Sequence, residues 1–421
     1  MSPTRLISSI AIYVVAIIAQ AQSPVPYTVI ANVGEDASTT IRLNWHTDEG
    51  VGESVCRYTL ADDVNWEHAK MEKANQELCT IFDSIYSKTP DGKDFYEDAR
   101  FIRNTLEITS LTPSTQYKYY IEGDNTVRYF KTAPSNNNWT AAVISDFHAY
   151  APLPARTSAA MNMLSTLEQQ RGEFDMVLHV GDITAWGGSY SFWKSLYENS
   201  PFKKYVWAGV NGNHDNMSRG YALQTNQFFA NTNNNPLNGY DGEMGVCYHF
   251  TYGNSLFIML NNENMASTLG LSKAQKWVHE VIANNPARFI VVVEHYQWFY
   301  GESGAASQYD RWKDLFDECG VDLAIGANNH IYARTNALFN SVETDGTRGT
   351  VYVQTPSSDN DRGQNLQKWT DNHNIIHHRW SEGLKTVGAL LLTATNENLI
   401  ITLHDRKGNV IDTAVVKGKN N

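Results

Sequence analysis

Five stretches hold the groups this chain could use for chemistry: Ser145-Asp146-Phe147-His148, Gly181-Asp182, Gly212-Asn213-His214-Asp215, Glu294-His295 and Ala327-Asn328-Asn329-His330. Carboxylate and amide oxygens with imidazole nitrogens form a donor set suited to Zn²⁺, Mn²⁺ or Fe, and the lack of a thiolate argues against a soft-metal site. Taken singly, each stretch has an ordinary explanation. An Asp after a strand often caps the next helix, and a His after Val291-Val292-Val293 is usually a satisfied structural histidine. Together they supply donors enough for two ions.

Every one of these stretches closes an apolar run: residues 141–144, 176–180, 205–210, 289–293 and 323–325. Helix-period patterns over residues 155–171, 190–197, 272–284 and 308–317 alternate with them. Short buried strands alternating with helices predict an α/β layer fold. Open sheets of that kind place their sites at the carboxyl ends of the strands, which is where the polar stretches fall. Further strands are expected at 256–260, 351–353, 389–393 and 399–403, with a hairpin turn at Gly408-Asn409.

The region before this differs in character. From Tyr27 to Ala133 the signals are β, as in Thr40-Ile41-Arg42-Leu43-Asn44-Trp45, where apolar and polar residues alternate. Leu111-Thr112-Pro113-Ser114-Thr115-Gln116-Tyr117 resembles the tyrosine corner of a fibronectin type III sandwich. Residues 62–95 read as a polar, helix-tolerant insertion, and residues 133–138 as a linker. Arg5, an apolar stretch over 10–18 and then Ala19-Gln20-Ala21 fit an export signal, with the mature chain starting near Gln22. A membrane anchor would need roughly 20 consecutive apolar residues. Export permits disulfides among Cys56, Cys79, Cys247 and Cys319; of the three pairings, Cys56 with Cys79 is favoured because both lie in the N-terminal region. With a net charge of −12 and no run of Lys or Arg, nothing points to nucleic acid or an anionic membrane surface.

The ordered series Asp-x-His, Gly-Asp, Gly-Asn-His-Asp, His and a final His330 before Ile331-Tyr332-Ala333-Arg334-Thr335 resembles the calcineurin-like metallophosphoesterases. The sandwich in front makes the chain most similar to their purple acid phosphatase branch. The resemblance implies an α/β four-layer metallophosphoesterase sandwich, β-sheets flanked by helices, preceded by an all-β fibronectin III-like sandwich. The expected division is residues 1–21 signal peptide, 22–133 sandwich, 138–405 metallophosphoesterase domain and 406–421 hairpin and tail. It also implies two metal ions (Fe, Zn or Mn) about 3.5–4 Å apart, which clamp the attacking and leaving oxygens of an in-line displacement. Carried over by position, Asp146, His148, Asp182 and His330 hold the first metal, with Asp182 bridging. Asn213 and His295 hold the second, and a hydroxide between the metals attacks phosphorus. Asp182 and His214 are the catalytic pair; His214 stabilises the transferring phosphoryl group or protonates the leaving oxygen, with Asn213 beside it against substrate.

Three positions depart from the family pattern. Ala185 stands where the purple enzymes carry a tyrosine, so no tyrosinate-to-iron colour is expected, and His148 fills that gap. Asn328 replaces a histidine expected on the second metal and offers only an amide oxygen. Residues 296–300 lack an extra histidine that some relatives place near the leaving group. Among the remaining polar groups, Arg362 is a candidate phosphate contact in a polar loop with Asp359 and Asp361, and His373, His377 and His378 read as a solvated loop. The resulting expectation is an exported, periplasmic or extracellular, two-metal phosphohydrolase without a membrane anchor. Its substrate is a small phosphorylated molecule, a phosphomonoester ahead of a phosphodiester. A non-catalytic binder that kept the scaffold is the rival raised by Asn328.

Overall fold

A computed structural model describes residues 25–418 except 51, 89–93, 137, 150–154, 199–202, 217–231, 300–307, 360–361 and 367–374. The export segment, Asp361, His373 and part of the loop after Asp215 lie outside the described residues.

The N-terminal strands are β1 (Tyr27–Val33), β2 (Ile41–Thr47), β3 (Val55–Leu60), β4 (Lys70–Lys73), β5 (Asn75–Lys88), β6 (Asp94–Ile108), β7 (Gln116–Ile121) and β8 (Arg128–Lys131). A four-stranded sheet runs β4-β3-β7-β8. The corner before β7 is pinned by Tyr117, whose Oη accepts the Thr112 N–H at 2.9 Å. The expectation of a helix-tolerant insertion over 62–95 is corrected: β4, β5 and the start of β6 occupy it. Cys79 and Ile81 are buried while Leu78 is exposed, the two-residue alternation of a strand with one wet face. The proposed disulfide is also corrected. Cys56 lies on β3 and Cys79 on β5, strands of different sheets, and all four cysteines are unpaired thiols.

The remaining strands are β9 (Trp139–Ile144), β10 (Met176–Val180), β11 (Val206–Val210), β12 (Tyr248–Tyr252), β13 (Ser255–Met259), β14 (Phe289–Val293), β15 (Leu323–Gly326), β16 (Tyr332–Thr335), β17 (Leu338–Phe339), β18 (Val342–Glu343), β19 (Val351–Gln354), β20 (Ile376–Trp380), β21 (Gly388–Ala394), β22 (Asn398–Asp405) and β23 (Val410–Lys417). One ten-stranded sheet runs β23-β22-β21-β9-β10-β11-β1-β2-β6-β5, and a seven-stranded sheet runs β12-β13-β14-β15-β19-β16-β20. The first includes N-terminal strands: β1 pairs in parallel with β11, Ala31 opposite Val206. The sheet therefore runs from the strands after residue 138 into the N-terminal strands without a break.

Strands β10, β11 and β15 are buried along their whole length, as expected of parallel strands covered on both faces. Leu178, Ala208, Val291 and Ile325 fill the space between the two sheets. The helices Ala155–Arg171 and Tyr190–Glu198 cover the outer face of the first sheet through Leu164, Leu167, Trp193 and Leu196. Thr268–Asn284 and Tyr309–Cys319 cover the second through Trp277, Val278, Trp312 and Phe316. Burying each such side chain contributes about 1.5–3 kcal/mol. The product is a helix–sheet–sheet–helix sandwich. Two local expectations change. His377 and His378 sit on β20 rather than on a loop, and the terminal hairpin begins at Asn398, its turn closed by Asp405 Oδ1 accepting the N–H groups of Lys407 and Asn409.

Candidate metal centre

Register brings the polar stretches together. Met176 on β10 lies opposite both Ala141 on β9 and Val206 on β11, so β10 and β11 finish level at Val180 and Val210, and β9 ends one residue earlier in register, Ile144 standing opposite His179. Asp146, Asp182 and Gly212 each stand two residues beyond. In the second sheet β14 and β15 pair with Val293 opposite Ile325, and His295 and Asn328 follow two residues past their strand ends. The two sheets therefore offer their strand ends to one gap. His295 Nδ1 spans it, hydrogen-bonding Val180 O at 2.7 Å.

Backbone strain is concentrated at the same place. Of the eleven non-glycine residues with positive φ among those described, five are Asp146 (53°), His148 (47°), Asp182 (51°), Asn328 (65°) and His330 (57°). Left-handed backbone costs an L-residue roughly 1–2 kcal/mol, and such strain persists where the surroundings over-determine it, typically at functional sites. The two glycines have steric reasons. A Cβ on Gly212 would lie 2.2 Å from Asp182 Oδ1, and one on Gly181 would lie 2.5 Å from His295 Nδ1.

The side chains converge as a donor set. Asp182 Oδ2 is 3.3 Å from His148 Nε2, and its Oδ1 is 3.4 Å from His295 Nε2. Asp146 Oδ1 is 3.3 Å from His330 Nε2, and Asn213 Oδ1 is 3.2 Å from His295 Nε2. His148, Asp182 and His214 form a further group with ligand atoms within 4.8 Å of one another. Three rings are oriented from behind by carbonyls: His295 by Val180, His330 by Arg362 at 2.6 Å and His214 by Ala185 at 3.0 Å. With Nδ1–H donating to a carbonyl, Nε2 is left as a lone pair facing the gap, the usual arrangement of a metal-ligating histidine.

The electrostatics call for positive charge. Asp146 and Asp182 are fully buried, yet both keep depressed pKa values: burial pushes them up, and neighbouring imidazoles outweigh it. Burial alone would lower His295, but the Asp182 and Asp146 carboxylates raise it to about 10. His148 is pulled by burial down to about 4; Asp182 opposes this, while the charges of His330 and Arg362 add to it. Asp146 Oδ1 and both ring nitrogens of His148 are buried without a hydrogen bond. Buried polar atoms are normally paired, and an imidazole nitrogen and a carboxylate oxygen facing one another at 3.3 Å repel unless a proton or a metal ion lies between them. The donor set therefore fits metal ions.

Asp146, His148, Asp182, Asn213, His214, His295 and His330 meet at this gap through their side chains, whereas the Asn328 Nδ2–H donates to Gln297 Oε1 at 2.6 Å. Arg362 contributes its main-chain oxygen to His330 and its charge to His148. Some groups had no sequence signal. Carbonyls of Val180, Ala185 and Arg362 act through the main chain, which carries no residue identity. Asp215, part of the Gly-Asn-His-Asp stretch, is fully buried and fastens two loops, accepting the N–H groups of Thr184 at 2.9 Å and Gly212 at 2.8 Å. Burial and the Asp182 charge lift its pKa to about 7. Asn262 Oδ1 accepts the N–H groups of His295 and Tyr296.

Comparison with known proteins agrees with this arrangement. The calcineurin-like phosphoesterase family matches residues 140–332, and the purple acid phosphatase N-terminal domain matches residues 26–140. The chain carries a calcineurin-like metallophosphoesterase domain, with a purple acid phosphatase N-terminal domain in front of it. An uncharacterized protein of Mycobacterium tuberculosis (strain H37Rv) is 24% identical, the match covering 78% of this chain and 66% of that protein. The chain thus spans slightly less than two thirds of that relative. Among solved structures, a purple acid phosphatase from yellow lupin (Lupinus luteus) seeds superposes with a TM-score of 0.69 at 15% identity, covering 94% of this chain and 75% of the other. PhoD superposes with a TM-score of 0.60 at 12% identity, covering 94% of each.

Proposed function

We propose that this chain is an exported two-cation phosphohydrolase acting on small phosphomonoesters. The observation that carries the reading is the Asp182 carboxylate, whose two oxygens face two different imidazoles, His148 and His295, at 3.3 and 3.4 Å. One carboxylate serving two cation positions is the element a dinuclear centre requires. Asp146, His148, Asp182 and His330 hold the first ion, and Asp182, Asn213, His295 and Asn328 the second, the ions being iron, zinc or manganese. Bound cations supply Lewis acidity toward phosphoryl oxygens and a water of lowered pKa as nucleophile.

The chain's own groups do the rest. His214 is half-buried at the mouth; its N–H donates to Asp182 Oδ1 at 2.8 Å and its ring is held by Ala185 O. Nε2 is then the atom that exchanges a proton with the leaving oxygen, a contribution of about 10²–10⁴-fold. Asn213 orients the phosphoryl group beside it, and the Arg362 guanidinium takes a peripheral phosphate oxygen. The export reading rests on residues 1–21; among the described residues no helix is long and apolar enough to cross a membrane.

Phosphodiester cleavage is the second reading. It is favoured by His148 standing in the centre while Ala185 offers only its carbonyl, the Asp-x-His pattern of relatives that cleave diesters. Phosphate-ester release from an aryl monoester and a bis-aryl diester, with added Mn²⁺, Zn²⁺ or Fe, separates the two. The expected result is faster monoester turnover. A protein that binds two ions and turns over neither ester would instead be a binder built on this scaffold.

A further inference from the structure

We infer that the two cation positions are unequal, and that Gln297 sets the second one by holding the Asn328 amide so that only its oxygen is available as a ligand. The inference rests on the two-cation reading above and adds a ranking of the positions and a cation class for the second.

The donor sets differ in chemistry. The first position draws on two carboxylates and two imidazoles: Asp146, Asp182, His148 and His330. The second has one imidazole, His295, a share of Asp182 and two neutral amides, Asn213 and Asn328. Amide oxygens are hard and uncharged, so this set holds an ion more weakly and turns preference from zinc toward Mn²⁺ or Mg²⁺. Exposure differs in the same sense. Asp146 and His148 are fully buried, whereas Asn213 and Asn328 are half-buried at the mouth, where an ion can enter and leave.

Gln297 is the residue that makes Asn328 usable. It is fully buried, and its Oε1 accepts the Asn328 Nδ2–H at 2.6 Å. Its own backbone is fixed: the Gln308 N–H donates to Gln297 O at 3.1 Å, at the start of the helix Tyr309–Cys319. The Ala327 N–H donates to His295 O at 2.8 Å, which places the Asn328 loop against the second-position histidine. An amide is planar, so committing its nitrogen to Gln297 leaves the oxygen as the end open to a cation. A rotated amide would present N–H groups, which a cation repels. The positive φ of Asn328 explains by itself why an asparagine is tolerated there. It does not explain a buried glutamine whose oxygen is aimed at that side chain.

The test is metal binding, read independently of turnover. Full-length mature protein is stripped with a chelator, reloaded from an equimolar Zn²⁺/Mn²⁺ mixture, desalted and assayed for metal content, and Mn²⁺ affinity is measured from the free-ion paramagnetic resonance signal. Wild type is expected to retain one zinc and to bind one exchangeable manganese. Gln297→Met, which removes the acceptor, should weaken manganese about 10–100-fold with the zinc retained, and Gln297→Glu, which keeps an oxygen acceptor, should restore binding toward wild type. Asn328→His should make the second position retain zinc. Should Gln297→Met fail to fold, Asn328→Ala at the half-buried mouth takes its place, with the same expected loss. Two zinc ions held equally by wild type would overturn the ranking, and manganese affinity unchanged in the variants would overturn the role of Gln297. Ester hydrolysis in the same samples keeps the questions apart: unequal binding without turnover overturns the hydrolase reading alone, and equal binding with turnover overturns this one alone.

Discussion

Two buried polar clusters lie along the same ten-stranded sheet, and they are built on opposite principles. One is the seam where β1, β2 and β6 meet residues 232–235. There the Asn234 Nδ2–H donates to Leu43 O at 2.9 Å, Asn234 Oδ1 accepts from Arg42 at 3.1 Å, Arg103 donates to Asn233 O at 2.7 Å and the Asn234 N–H donates to Asn32 Oδ1 at 2.9 Å. At each of these contacts a donor answers an acceptor. The other is the centre around Asp182, where carboxylate oxygens face imidazole nitrogens at 3.3 Å, Asp146 Oδ1 and both ring nitrogens of His148 have no hydrogen bond, and the backbone is strained to keep them there. Burial is the same; satisfaction is not. A polar group buried with its partners stabilises a fold, whereas one buried without them is waiting for a ligand.

The sharpest break in that comparison is expected at Asp182. Asp182→Ala removes the group shared by both positions, and phosphate release should fall at least about 10³-fold, the scale of losing a principal electrostatic stabiliser. Metal content should drop below one ion per chain in the same sample. A variant that keeps two ions and full turnover would remove Asp182 from the centre.

A half-buried carboxylate with its own partner should behave in the opposite way. Asp412 on β23 accepts from Arg334 Nε at 2.7 Å and from Tyr332 Oη at 2.7 Å. Burial pushes its pKa up, and those two bonds more than offset it, so the folded value is depressed. The stability it contributes is therefore complete above the pKa of an unfolded aspartate, about 3.9, and is lost as pH falls through the lower folded value. Asp412→Asn should cost about 3 kcal/mol at neutral pH. The gap from wild type should close below about pH 4. Chelator should change neither value; a metal-dependent gap would mean the pair belongs to the centre after all.

The difference between the clusters also marks what could be read in the sequence. The five strand ends were legible because buried parallel strands write themselves as unbroken apolar runs, and because Asp, Asn and His are costly to place there. The four-layer order followed from the alternation of those runs with helices. Residues 62–95 were not legible: Lys70-Met71-Glu72-Lys73 forms a strand with most of its side chains exposed, and a wet strand shares its polarity with a surface helix. The continuity of the sheet through β1 and β11 was hidden for another reason. Pairing between residues 31 and 206 is a long-range choice that no local pattern encodes. The orienting carbonyls of Val180, Ala185 and Arg362 were beyond reach because every residue type has one.

The smallest effect is expected in the seam, and it tests whether satisfaction means structure alone. Asn234→Leu keeps the volume but withdraws an acceptor from Arg42 and a donor from the carbonyls of Leu43 and Leu106. Arg42 retains Glu107 at 3.0 Å, so its charge is not stranded. The cost should be about 1–3 kcal/mol, the penalty of leaving buried groups under-satisfied, read as a lower urea midpoint with unchanged slope. Metal content and turnover of the folded variant should match wild type. The seam nevertheless touches β11 through Asn32, whose amide reaches Trp207 O at 3.4 Å, and β11 is the strand that ends in Asn213 and His214. Turnover lost with stability intact would therefore show that the N-terminal strands position those two residues, and the separation between the clusters would fail at β11.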